Sequence, residues 1–320
     1  YEASARVGDA IRPQKGDLHP HGTWSPVGGT IAAGLLRGLD AEELTEAIRI
    51  AVNPFVASHW AAALEGATVR NFYTGIACAH GLRAVALAAS GVTGVEGAIE
   101  RCLFPIVAED PDAVEILQDA VRTMGEEYYL ADSYFKTHAT CRYAHAPIEA
   151  LANIELGERV AEIETITVAT FEAGRLLRAR APETILEAKF STPFGLGAQL
   201  VLGGTGVDAY TEETLGDDRI REIAGRVSVQ VEEQFQERAQ TGVWGARVEV
   251  EMANGETLSA TVEDARGGGE NPFTTTEVRA KFHELVSGAT ASVDASAIER
   301  QVDELEFVAD CTALLAPARE

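Results

Sequence analysis

The stretch ARVEVEMANGETLSATV, residues 246–262, decides the architecture. Apolar and polar residues alternate on both sides of Asn254-Gly255, which is the period of a half-buried strand. Asn-Gly readily takes the two positive-φ positions of a tight hairpin turn. The stretch therefore predicts two antiparallel strands, one at 246–252 and one at 257–262. VAEIETITVAT at 160–170 and RVSVQVE at 226–232 have the β-branched content of further strands. Helical patterning intervenes at about 148–152, 188–202 and 217–225. Strand-forming sequence is thus confined to the middle of the chain.

On either side the pattern is helical. A small-residue apolar helix is expected at 28–39, ending near Gly38. Asp40 with Glu43 forms a capping box for a helix at 41–52. Alanine-rich helices follow between Ala61 and Gly91, and another between Asp110 and Met124. Alanine faces let helices approach closely, which implies a buried bundle. Gly267-Gly268-Gly269 and Pro272 close the middle part. Thr274 with Glu277 then caps a further helix, and a long one is expected from about Asp294 to Leu315. The fold class expected is mainly α: an all-helical large domain (1–133 and 274–320) with a smaller α+β domain inserted at 134–273.

Composition narrows the function. The 320 residues carry a formal charge of −24, which argues against nucleic acid and anionic membrane as partners. Acidity spread along the chain fits a protein kept soluble in concentrated salt, so a halophilic source is expected. Charge or glycine interrupts every apolar run before it reaches bilayer length, and no signal peptide is recognisable, so a cytoplasmic location is expected. Cys78, Cys102, Cys141 and Cys311 are scattered without CxxC spacing, which gives neither a disulfide framework nor a zinc site. Three of them read as small packing residues.

Against this acidic background FKTHATCRYAH, 135–145, gathers a lysine, two histidines, a cysteine and an arginine in eleven residues. LHPHGTW, 18–24, repeats the pattern on a smaller scale. Cationic and proton-transferring side chains in such density call for a negative ligand. The two clusters together point to a small polycarboxylate worked on by proton transfer: histidine to move protons, arginine and lysine to hold carboxylates.

The order HP-x-GTW (19–24), EGATVRNFYTG (65–75), FK…CRYAH (135–145), AKFSTPF (188–194) and NPFTTTEVRAKF (271–282) resembles the MmgE/PrpD family. That family includes 2-methylcitrate dehydratases, cis-aconitate decarboxylases and iminodisuccinate epimerases. The resemblance implies a helical large domain, an α+β lid, a homodimer, and no metal or other cofactor. It also implies a further helical segment ahead of Tyr1, contributing an aspartate and a histidine to the site. As catalytic residues it points to His19, Lys136, His145 and Cys141. As substrate-binding residues it points to Arg70, Tyr73, Arg142 and His21. Arg70 stands where many relatives have lysine, Tyr73 where many have histidine, and Cys141 where some have a catalytic histidine. Phe194 stands where some use a tyrosine hydroxyl as a proton donor. His138 reads as incidental; Lys189 and Ser191 could touch substrate or serve packing.

The function this implies is a lyase dehydrating a 2-methylcitrate-like tricarboxylate by metal-free acid/base catalysis, as in propionate catabolism. Its rivals are epimerisation or decarboxylation of a related polycarboxylate, and a non-catalytic carboxylate-binding relative.

Overall fold

The computed structural model describes residues 1–12, 14–54, 57–289, 293–310 and 312. The first part holds α1 (Glu2–Ala10), α2 (Pro20–Thr23), α3 (Ser25–Leu36), α4 (Ala41–Val52), α5 (Ala61–Leu64), α6 (Tyr73–Ala89), α7 (Phe104–Val107) and α8 (Ala113–Arg122). α4 starts as expected: the Asp40 carboxylate accepts from the backbone N–H groups of Glu42 and Glu43, and the Glu43 carboxylate accepts from that of Asp40. α3, α4 and α6 meet through Ala33, Ala47, Ala51, Ala84 and Val85, and these short side chains allow the close approach. Arg6 on α1 is wholly buried, which its side-chain type would not suggest. It donates to the carbonyls of Ala120 and Glu127 and lies over the Tyr129 ring, tying α1 to the end of α8.

The 22 residues Thr68–Ala89, a 3-10 turn followed by α6, contain an 18-residue window of mean hydropathy 1.2. By length and composition alone they would cross a membrane, which differs from the sequence reading. In the fold α6 packs instead against α3 and α4, burying Ala77, Gly81, Ala84 and Val85.

The middle part holds α9 (His145–Ala152), β1 (Ile163–Thr170), α10 (Glu172–Arg175), α11 (Ile185–Ala188), α12 (Thr192–Leu202), α13 (Glu212–Leu215), α14 (Asp218–Gly225), β2 (Val227–Val231), α15 (Glu233–Gln240), β3 (Ala246–Met252) and β4 (Thr257–Val262). The sheet order is β2-β1-β3-β4, with β1 parallel to β2 and the other pairs antiparallel. In the β3–β4 hairpin Gly255 alone of the Asn-Gly pair takes positive φ, at 82°, and the Asn254 side-chain oxygen accepts from the Glu256 backbone N–H instead. One face of the sheet carries Ile166, Val168, Val248 and Val250, all fully buried against Ile148 and Leu151 of α9. Each such side chain contributes roughly 1.5–3 kcal/mol by leaving water. The other face presents Thr165, Thr167, Ser228, Glu249 and Glu251, and is covered at Ala169, which is buried with Phe235 of α15.

One expected helix is divided. The sequence pattern suggested a single helix over 188–202, but the chain breaks between α11 and α12. There the Ser191 hydroxyl accepts from the Phe194 N–H, and Pro193 sits in the first turn, where its missing donor costs nothing.

The last part holds α16 (Thr275–Ser287), with the expected Thr274–Glu277 capping box, and α17 (Ala295–Asp303). Neither buries a described side chain. They are joined by Arg279 to Glu299 and Asp303, and by His283 to Glu299. α17 is shorter than the helix expected over 294–315; residues 313–320 and Cys311 lie outside the described residues. The molecule is mainly helical, with one small mixed sheet.

Candidate active site

The segment 134–141 has no helix or strand of its own and is held from both sides. Phe135 N–H donates to Gly267 O at 3.0 Å, Ala139 N–H to Thr205 O at 2.9 Å and Cys141 N–H to Lys189 O at 2.8 Å. Lys136 folds back so that Nζ donates to Thr140 O at 3.0 Å, and the Thr140 hydroxyl donates to Lys189 O at 2.6 Å. This cross-bracing places Lys136, Cys141 and Lys189 on one wall. The opposite wall comes from the 3-10 turn Thr68–Phe72, which carries Arg70. Between them lies a cavity of about 440 Å³ lined by Arg70, Asn71, Lys136, Thr140, Cys141, Lys189 and Phe190, among others. That volume lies within the usual range for small-molecule sites, about 300–1,000 Å³.

The charge arrangement is unusual for this chain. Arg70, Lys136 and Lys189 all line the cavity, and none of the described residues lining it is acidic. Arg70 lies over the Phe190 ring at 5.1 Å, and its Nε has no hydrogen-bond partner. Burial lowers the Arg70 pKa, opposed by Cys141 and Tyr73. Burial lowers that of Lys136 too, with Cys141 opposing and Arg70, Arg142 and Lys189 adding to the fall. Cations gathered without counter-charge are costly until an anion arrives.

The histidines of the first cluster adjoin this group. His19 caps α2, its Nδ1 accepting from the His21 backbone N–H, and its ring meets Trp60 at 4.5 Å, His21 at 4.6 Å and Tyr73 at 5.5 Å. Burial, then His21 and Arg70, push its pKa down to about 3. Burial, then Arg70 and Lys136, push that of His21 down to about 4. Both rings are therefore neutral near pH 7, and a neutral imidazole near a cationic cradle can accept a proton. Neither ring is among the residues lining the cavity; the Arg70 charge acts on both and the Lys136 charge on His21.

The remaining expected residues are placed differently. Tyr73 donates its hydroxyl to His59 O at 3.2 Å, fixing the loop before α5, and does not line the cavity. Arg142 is turned away. Its guanidinium pairs with Asp264 at 3.1 Å and donates to the carbonyls of Ala265 and Arg266, so it staples the end of the hairpin. His145 is fully buried and lies edge-on to His138 at 4.9 Å, outside the lining. Burial pushes its pKa down to about 2, with His138, Arg142 and Lys136 adding and the Thr140 backbone opposing. Cys141 is at the cavity, and burial raises its thiol pKa, which keeps it protonated. Ser191 serves as a helix cap.

Sequence reasoning missed Trp60 and Phe190. Trp60, just before α5, touches His19 at 4.5 Å, Phe190 at 6.3 Å and Tyr143 at 6.4 Å. It spans the junction of the first and middle parts of the chain. Nothing local marks it, because all three partners are distant in sequence or reached only through the fold.

Comparison with known proteins bears on this geometry. Residues 1–103 match the MmgE/PrpD N-terminal domain, and residues 138–306 match the MmgE/PrpD C-terminal domain. The chain is 27% identical over 337 residues to the cis-aconitate decarboxylase-like protein oryM of Aspergillus oryzae, covering 99% of this chain and 68% of that protein. It is 23% identical over 339 residues to the cis-aconitate decarboxylase of Aspergillus terreus, covering 98% of this chain and 68% of that protein. With both family domains matched in order along its length, the chain belongs to the MmgE/PrpD family.

Proposed function

We propose that the chain is a lyase acting on a small polycarboxylate held between Arg70, Lys136 and Lys189. The observation that carries this reading is a cavity with three cations and no acid among its described lining residues, in a chain that has 50 acidic residues. A tricarboxylate matches that deficit in number and sign, and Arg70 offers a planar fork to one carboxylate.

The reaction we favour is dehydration of a 2-methylcitrate-like hydroxy acid. His21, neutral at pH 7, takes the proton from the carbon beside a bound carboxylate. Lys136, with its lowered pKa, gives a proton to the departing hydroxyl. The C–H and C–O bonds break, a C=C bond forms and water leaves. The cations stabilise the negative charge that builds on the carboxylate as the proton departs. His19 orients His21 through its ring contact and backbone hydrogen bond. The sheet-bearing part acts as a lid whose closure excludes water. Arg142, His145 and Tyr73 position these groups and do not touch substrate.

A second reading is decarboxylation, favoured by the names of the two fungal relatives. Phe194 weighs against it: the ring is buried against Tyr210 in the middle part and has no proton to give. A homodimer belongs to the same proposal, because Ile76 and Leu82 of α6 and Leu36 at the end of α3 leave apolar surface that a second copy would cover. The test is turnover by the full chain in concentrated salt. Rising ultraviolet absorbance from 2-methylcitrate supports dehydration. Carbon dioxide from cis-aconitate supports decarboxylation instead, and turnover of neither, with a folded protein, overturns the lyase reading.

A further inference from the structure

We propose that His138, His145 and Glu149 form a binding site for one divalent first-row transition-metal ion, behind the cavity rather than in it. The site goes beyond the lyase reading and does not depend on it. Each residue offers one ligand atom, and the three atoms lie within 4.8 Å of one another. Two imidazoles and a carboxylate are the donor set preferred by zinc and its neighbours.

Three observations single this cluster out from ordinary buried polar groups. His145 is fully buried, and neither ring nitrogen makes a hydrogen bond of good geometry; the Thr140 backbone acts only weakly on the ring, an expensive arrangement for a polar side chain. His138 uses Nδ1 on the Thr205 hydroxyl at 2.6 Å, while Nε2 is left without a partner 3.6 Å from Glu149 Oε1. A ring nitrogen fixed by an outer hydroxyl, with the other left for the ion, is the usual way a ligand histidine is oriented. Glu149 accepts from the Arg266 backbone N–H through both oxygens, at 3.0 and 2.9 Å, which fixes its carboxylate beside both histidines. An ion bonded at about 2.1 Å to each ligand in a tetrahedral site holds them about 3.4 Å apart, so binding draws the most distant pair together by about an ångström through side-chain rotation.

The fields of Arg142 and Lys136 reach His145, and the Glu149 carboxylate opposes them at the cluster. Arg142 is offset by Asp264, and Arg266 by Glu277. Lys136, two residues from His138, turns its ammonium to Thr140 O. An ion at this point would join the segment carrying Lys136 and Cys141 to α9, and through Glu149 to the chain after β4. Its role would be to hold the cavity wall in place.

The test uses Co²⁺ alone, added to chelator-stripped full chain in high salt, with visible absorption as readout. The expected result is one Co²⁺ per chain with ligand-field bands of a low-coordinate nitrogen and oxygen site. His138→Gln and Glu149→Gln should each abolish the bands, and Thr205→Val, which removes only the outer hydroxyl, should weaken binding by about 10- to 100-fold. Far-ultraviolet dichroism identifies any variant that does not fold, and the remaining two then carry the test. No stoichiometric bands in the unsubstituted chain would overturn the proposal. Bands unchanged in the folded variants would also overturn it, since Co²⁺ would then sit on surface carboxylates.

Discussion

Lys136 is the residue at which experiment can most sharply probe the proposed chemistry. It lines the cavity and is held by one carbonyl, and its charge is balanced by no described carboxylate. Replacing it with methionine keeps the apolar stem and removes the proton and the charge. Lys136→Met should lower kcat by about 10²- to 10³-fold, the usual cost of losing one preorganised donor, with little change in folded content. Equal kcat in the two proteins would remove Lys136 from the chemistry. His145 permits a different check. In the unfolded chain this ring takes up a proton as pH falls through about 6.5, while in the fold it stays neutral down to about 2. The unfolded state therefore binds more protons across that window, and stability falls as pH falls below about 6.5. Between pH 6.5 and 5 the loss is roughly 2 kcal/mol for this ring. Carboxylates with lowered pKa, such as Glu277, titrate below that range and do not confuse it. His19 and His21, lowered to about 3 and about 4, lose stability in the same window. Urea midpoints of the metal-free chain at pH 7.5 and 5.0 therefore measure the sum, and His145→Gln should reduce it by about a third.

Among the elements, those legible in the sequence are the ones whose cause is local. The Asn254-Gly255 hairpin and the Asp40 and Thr274 capping boxes each rest on contacts within a few residues, and each appears where expected. The divided helix at Ser191 had its signal in Ser-Thr-Pro, but the apolar run that follows it obscured the break. The active-site wall was only half legible. Lys136, Cys141 and Arg70 stood out by residue type, whereas Lys189 faces the cavity because its carbonyl braces Thr140 and Cys141 from 48 or 49 positions away. Arg142 looked like an anchor for substrate and proved to be one for Asp264, since charge alone does not reveal which way a side chain turns. The wall also depends on Gly267, at φ 85°, whose carbonyl accepts from Phe135 N–H and where a Cβ would lie 2.3 Å from Phe135 O. Gly267→Ala should cost about 1–3 kcal/mol and reduce turnover by shifting Lys136. A thermal midpoint and kcat both unchanged would show the segment to be held by something else.

For the whole molecule, charge outweighs every other feature of the composition. A net −24 on 320 residues repels itself, and the ion pairs that relieve it, such as Arg159–Glu256 and Arg279–Asp303, are mostly exposed and individually weak. Screening shortens from about 10 Å at 0.1 M salt to about 3 Å at 1 M. The thermal midpoint should therefore rise from 0.1 to 2 M potassium chloride; a flat or falling midpoint would contradict the halophilic reading. The same acidity sharpens the case for an anion site, because three cations facing one cavity stand against the charge of the entire chain. Calorimetric titration with tricarballylate, a saturated tricarboxylate with no hydroxyl to lose, probes that site without requiring turnover. One site per chain is expected, weakened at least about tenfold by Arg70→Gln or Lys136→Gln, as follows from losing a charge-assisted hydrogen bond. No binding, or equal affinity in both variants, would contradict a polycarboxylate site between these cations.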